Sequence, residues 1–171
     1  MKLLSCLVFL FFVSCSSAPK FSKPTGSGEK ISGAVNIPAS IDYKYVEAIP
    51  KKITSECTAL NSKLSNSTKI HGKKMGVDFV QVKAVLPKGK GNRVHVDIIN
   101  AVSSGNAFIG HNKSMTIHAY LYAGNTLVDD VELKRSSGGG FGAGFKSSCD
   151  VLERVTHKLG EDIATWVRRF Y

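Results

Sequence analysis

The sequence predicts an α+β fold: a two-layer sandwich of about four mainly antiparallel strands, covered on one face by two helices, in the order α-β-β-β-β-α. Three observations predict it. Apolar residues recur at helical spacing at Ile53, Cys57, Leu60 and Leu64. From Val77 to Lys134 the period changes to two, with turn residues between the alternating runs. A second helical stripe closes the chain through Leu152, Val155, Leu159, Ile163, Trp166 and Phe170. A sheet with one apolar face needs a cover, and two amphipathic helices supply it.

The first helix is predicted to start near Pro50, because proline suits the first helical turn. Lys51, Lys52, Glu56 and Lys63 lie off its apolar stripe, and the pattern fades by Ser65 to Ser67. In "VDFVQVKAVL" the alternation predicts Val80, Val82, Ala84 and Leu86 on the inner face. Pro87, Gly89 and Gly91 mark a turn region. "RVHVDII" then predicts Val94, Val96 and Ile98 inward, with His95 and Asp97 opposite. "SMTIHAYLYA" predicts Met115, Ile117, Ala119 and Leu121 inward, with Thr116, His118, Tyr120 and Tyr122 opposite. Gly124-Asn125 reads as a two-residue hairpin turn. The following strand predicts Leu127, Val131 and Leu133 inward.

The last helix carries the clearest boundary. Ser147-x-x-Asp150 has the form of a capping box, with a carboxylate beside the positive helix end. Arg168 and Arg169 stand in the final turns, where cations suit the dipole. Gly160 is a weak point, costing about 1 kcal/mol against alanine in a helix interior.

The N-terminus speaks about location. Lys2 precedes an apolar run from Leu3 to Val13, followed by small residues. Eleven residues of helix at ~1.5 Å each do not cross a ~30 Å hydrocarbon core, so the run predicts a signal peptide over residues 1–14. Phe12-Val13-Ser14-Cys15 resembles the lipobox of bacterial lipoproteins, with Phe12 where leucine is usual. That resemblance implies a lipid on Cys15, which becomes the new N-terminus, and anchoring to a membrane. Ordinary cleavage after Ser17 is the alternative. Ser16, in place of aspartate, implies by the same resemblance the outer membrane, facing the periplasm. Residues 15–40, rich in Ser, Gly, Pro and Lys, read as the lipid-attachment cysteine and a flexible linker, and residues 41–171 as a single α+β domain.

Hydrophobic content of 43% and charged content of 21% are those of a folded globular chain rather than a disordered one. The 23 basic and 13 acidic residues give +10, or 22 − 13 = +9 once Lys2 leaves with the signal peptide. Such a field attracts anions. An exported protein seldom meets nucleic acid, so none is expected as a partner. Anionic lipid head groups, an anionic envelope polymer or another envelope protein are the expected partners. Cys57 and Cys149 remain after processing, an even pair in an exported chain. Both fall on helices placed on one sheet face, where a disulfide is within reach. Two buried thiols are the alternative. No C-x-x-C or paired-histidine spacing accompanies either cysteine, so no metal is expected.

"RSSGGGFGAGFKSSC" invites a phosphate-loop reading. Gly139 and Gly144 have Walker A spacing, but Phe145 stands where the lysine must be and Lys146 comes one place late. The loose dinucleotide fingerprint lacks the second parallel strand it requires, because the chain stops after the helix. Gly138, Gly139, Gly140, Gly142 and Gly144 therefore read as a flexible hinge, and no cofactor is expected. His95, Asp97 and His118 share the outer sheet face near Tyr120, where an acid–base or metal site would be chemically possible. A solvated polar face is the plainer account, and no catalytic residue is assigned.

Residues 110–167 contain "RSSGGG", then Cys149, then Leu159-Gly160-x-Asp162-Ile163-Ala164-x-Trp166. This stretch, about a third of the chain, resembles the C-terminal part of small Gram-negative outer-membrane and periplasmic lipoproteins of uncharacterised families. The resemblance implies an envelope location and no established catalysis. The resulting expectation is a non-enzymatic binding or assembly module with a basic surface. The alternative is an envelope enzyme or metal-binding protein that uses His95, Asp97 and His118.

Overall fold

The computed structural model describes residues 19–85, 88–106, 110–138 and 147–171. Its sheet has five strands: β1 (Val35–Pro38), β2 (Phe79–Val82), β3 (Asn92–Asn106), β4 (Gly110–Ala123) and β5 (Thr126–Gly138). The helices are α1 (Lys51–Glu56), α2 (Leu60–Lys74) and α3 (Ser148–Arg168). The strand order is β2-β1-β3-β4-β5. The expected α+β class is correct, but the sheet is five-stranded and mixed. β3-β4-β5 is an antiparallel meander, whereas β1 runs parallel to both β2 and β3. A parallel pair needs a crossover connection, and α1 with α2 supplies it between β1 and β2.

β1 lies within residues 15–40, which read as spacer, and that segment packs. Val35 and Ile37 are fully buried, and Ile31 nearly so. Upstream, the Ser27 and Gly28 amides donate to the Leu127 and Val128 carbonyls at 2.9 Å each, and the Ile31 amide donates to the Phe170 carbonyl at 2.7 Å. Such backbone pairing holds residues 25–38 against β5, α3 and the sheet.

The first apolar stripe also divides. α1 ends at Cys57, whose φ of −105° and ψ of 47° break the helix, and α2 then runs to Lys74 instead of fading at Ser67. The face of α2 that meets α3 carries small residues: Ser67 and Thr68 are buried. They permit close approach at Gly160, where a Cβ would lie 2.6 Å from the Ser67 side chain and 2.7 Å from the Thr68 amide nitrogen. Ser67 Oγ donates to the His157 carbonyl at 2.9 Å, and Thr165 meets Met75 Sδ at 3.7 Å, so α2 and α3 run parallel. β1, β2, β3 and β5 start, and β4, α2 and α3 finish, at one end of the molecule.

Inner-face residues of β3 and β4 are those the alternation indicates. Val94, Ile98, Met115, Ile117, Ala119 and Leu121 are fully buried. In β2 the phase is reversed: Phe79 is buried and Val80 is 40% exposed. Gln81 points inward with Phe79, its amide donating to Ser65 Oγ at 3.0 Å. Leu86 lies outside the described residues. In β5 an irregularity opposite Leu121/Tyr122 inserts Val128, which is fully buried, while Leu127 is only half-buried. The inner face of β5 then carries two charges, each answered by α3. Asp129 accepts from Trp166 Nε1 at 2.7 Å, and Arg135 meets the Asp162 carboxylate through two bonds of 2.6 and 2.8 Å. α3 begins as expected, with both halves of the Ser147/Asp150 capping box formed.

Cys57 and Cys149 form a disulfide with Cα atoms 5.3 Å apart, closing 92 residues. It fastens the end of α1 to the first turn of α3, at the end of the molecule opposite the chain terminus. Gly138 is the last residue of β5, paired with Asn112. Gly139, Gly140, Gly142 and Gly144 of the expected hinge, the lipid-attachment Cys15 and the signal segment lie outside the described residues.

Candidate functional site

The strand register makes the outer sheet face one polar cluster. His95 pairs across the sheet with Tyr120, Asp97 with His118, and both β4 residues continue onto β5 at Asp130 and Glu132. His118 sits at its centre. Its Nε2 is 2.6 Å from Asp130 Oδ2, its Nδ1 is 3.1 Å from the Tyr120 hydroxyl, and the two rings stack at 4.3 Å. Asp130 also accepts from the Thr25 hydroxyl, and that bond, with the one from His118, holds its carboxyl below the usual range. His95 Nε2 lies 3.1 Å from Asp97 Oδ1, and Lys44 Nζ lies 3.4 Å from Asp97 Oδ2. The exposed Lys44 ammonium is held above its ordinary range by Tyr120 first and Asp97 second.

Carboxylate, imidazole and hydroxyl thus stand in a row from Asp130 through His118 to Tyr120. That order is what a base oriented by an acid needs when it activates a hydroxyl. A reaction also needs a place for the reacting atom within about 3 Å of the nucleophile. A cavity of about 120 Å³ beside the cluster is lined by Ser40, Asp42, His95 and Asp97 among others, and touches neither His118 nor Tyr120. His95 Nδ1 is buried without a hydrogen-bond partner, as is the Tyr43 hydroxyl. Among the described residues, no three histidine, cysteine, aspartate or glutamate side chains converge as metal ligands.

The larger concavity is on the other layer. A groove of about 600 Å³ between α2 and α3 is lined by Lys63, Asn66, Ile70, Glu153, Arg154 and His157. At its side His71 and His157 approach Nε2 to Nε2 at 3.3 Å, with rings edge to face at 4.7 Å. Burial first, and the His157 charge second, push the His71 imidazole below its ordinary value. Glu161 is lowered, chiefly by the bond from Lys158.

The register therefore assembles His95, Asp97 and His118 as expected. Asp130 and Thr25 complete the cluster and carry no signal in the alternation: Asp130 is one acid of a strand identified by its apolar residues, and Thr25 lies 105 residues away in apparent spacer. The His71–His157 contact was missed because the helix that carries His71 extends beyond its aliphatic pattern. One signal was available, namely the two histidines on neighbouring amphipathic segments.

No protein-family model matches the chain, and no curated protein matches it by sequence. Its fold is that of protein XCC0632 from Xanthomonas campestris, a DUF330 protein, with 8% identity, a TM-score of 0.53, and coverage of 88% of this chain and 90% of that one. The minor lipoprotein of Acinetobacter baumannii (10% identity, TM-score 0.45, covering 82% and 90%) is also similar. So is lipoprotein GNA1162 of Neisseria meningitidis (10% identity, TM-score 0.47, covering 78% and 99%). Among the described residues no helix is long and apolar enough to cross a membrane.

Proposed function

We propose that this protein is a lipoprotein of the Gram-negative cell envelope, anchored through Cys15 to the outer membrane and facing the periplasm, and that it is a non-enzymatic binding or assembly module. The observation that carries the envelope location is the Cys57–Cys149 disulfide, since structural disulfides persist in oxidising compartments. The signal-like run before Cys15 supports the same reading, as do the names of the structural neighbours. For the non-enzymatic part, the support is that, His95 Nδ1 apart, the sheet-face cluster is bonded within itself: Thr25, Asp130, His118 and Tyr120 form a row, and Asp97 is shared between His95 and Lys44.

The test is cross-linking of intact envelopes followed by recovery of the acylated protein. A stable protein partner in the cross-linked product supports the reading. Recovery only in the soluble fraction, with no acyl chain, refutes it. The Asp130–His118–Tyr120 row favours a second reading, an envelope hydrolase. Under that reading Tyr120→Phe abolishes a phenotype that the binding reading leaves intact.

A further inference from the structure

We infer that the end of the molecule holding the chain terminus is a docking surface for an anionic phospholipid leaflet, so that the tether presents the domain in one orientation. This inference rests on the proposed anchor at Cys15. Its first support is the length of the tether. The Phe21 ring lies 5.0 Å beneath the Arg169 guanidinium, and Arg169 donates to the Ser22 carbonyl at 2.9 Å. Between Cys15 and Phe21 there are 21 − 15 = 6 residue steps. At ~3.3–3.6 Å per residue the fully extended chain spans at most about 22 Å. That is shorter than the domain itself, since α3 alone, with 21 residues at ~1.5 Å each, is about 30 Å long. A tether of that reach keeps the end carrying Phe21 beside the bilayer and leaves the disulfide end remote.

The second support is charge. Exposed Lys20, Lys23 and Lys30 lie along the packed N-terminal segment, and Lys30 Nζ donates to the Arg169 carbonyl at 2.8 Å. Exposed Arg168 closes α3 at the same end. Lys88 and Lys90 flank Gly89, whose amide donates to Asn125 Oδ1 at 3.0 Å, two residues before the Leu127 carbonyl that receives Ser27. Among the described residues, the acidic side chains of this end are Glu29 and Asp78 at the surface, with Asp129 buried and Asp130 bonded to Thr25 and His118. The disulfide end is mixed in sign: Lys51 and Lys52 stand in the chain between Glu47 and Glu56, and Asp150 follows Cys149. Basic residues near an anionic leaflet each strengthen association about five-fold, and the effect fades over about 8 Å at physiological salt. Several cations held within tether reach therefore dock the basic end, while the mixed end gains nothing.

The test uses the full mature protein, extracted from membranes and reconstituted on vesicles of phosphatidylcholine with or without phosphatidylglycerol. Lysines are acylated with a water-soluble reagent and read by peptide mass spectrometry. On the anionic vesicles Lys20, Lys23 and Lys30 are expected to label several-fold more slowly than on phosphatidylcholine, with Lys51 and Lys52 unchanged. Molar salt is expected to abolish the difference. Lys88→Glu with Lys90→Glu, a surface change in a turn, is expected to restore labelling of Lys30. Equal labelling at both ends, or protection of Lys51 and Lys52 instead, overturns the docking. The intact mass is taken first. Absence of acyl chains on Cys15 overturns the anchor and the tether argument with it, whereas acylated protein with evenly labelled ends overturns the docking alone.

Discussion

Gly160 sets two effects against each other. In an isolated helix alanine would be better there by about 1 kcal/mol. In the fold a Cβ would sit 2.6 Å from Ser67 Cβ, inside any ordinary contact. Backbone separation of α2 and α3 would have to increase, and overpacking of this kind costs about 1–3 kcal/mol. Gly160→Ala is therefore expected to lower the urea midpoint, where a purely local account expects it to rise. Asp129 is the second informative residue. It is 3% exposed and accepts from Trp166 Nε1 and, at 2.8 Å, from the Thr25 amide. Asp129→Ala strands both donors and is expected to cost about 1–3 kcal/mol, read as a shift in the urea midpoint with unchanged slope. The third is His71. Its imidazole is held below the ordinary value in the fold, so the unfolded chain binds the proton more readily. Its contribution is present in full above the unfolded value, near 6.5, and is lost as pH falls through the lower folded value. The urea midpoint is expected to fall from neutral pH towards pH ~5, and His71→Gln is expected to flatten that slope.

The elements differ in how far the sequence betrays them, for physical reasons. α3 is legible because three independent signals coincide: the Ser147/Asp150 cap, an aliphatic stripe and terminal arginines. β3 and β4 are legible because one face is buried against helices and the other is polar. β1 is not: four residues, Val35–Pro38, are too few to display a period, and their neighbours are the Ser, Gly and Pro that mark spacers. The second half of α2 hides for a different reason. Its contact with α3 uses Ser67 and Thr68, and its contact with β2 uses Ser65 and Gly72, in place of aliphatic side chains; a Cβ at Gly72 would meet the Phe79 ring at 2.2 Å. The outer-face cluster was half legible: alternation puts His95, Asp97 and His118 together, but only tertiary pairing brings Thr25 to Asp130. The packed N-terminal segment gives a direct prediction. Trypsin acting briefly on the mature native protein is expected to spare Lys30, because the next amide is bonded to the Phe170 carbonyl. Rapid cleavage there would mean a free spacer. Reduction of the disulfide is expected to lower stability by about 2–4 kcal/mol, measured as the change in unfolding midpoint with and without reductant.

At the scale of the whole molecule, a mixed sheet with two parallel helices on one face has a polarity: α2, α3 and the chain terminus all finish at the same end. The net charge of +10 is spread unevenly on that frame. Fold likeness to XCC0632 at 8% identity says what the chain's shape is, and leaves its ligand to chemistry. The proposed anchor, and the orientation it would give the basic end, depend on Cys15 being the mature N-terminus. The most direct measurement is the intact mass of the protein extracted from membranes without reductant. The account expects a chain beginning at Cys15, increased by the mass of acyl groups and reduced by that of the hydrogens lost in the Cys57–Cys149 bond. A chain beginning elsewhere, or one beginning at Cys15 with no acyl mass, would contradict it.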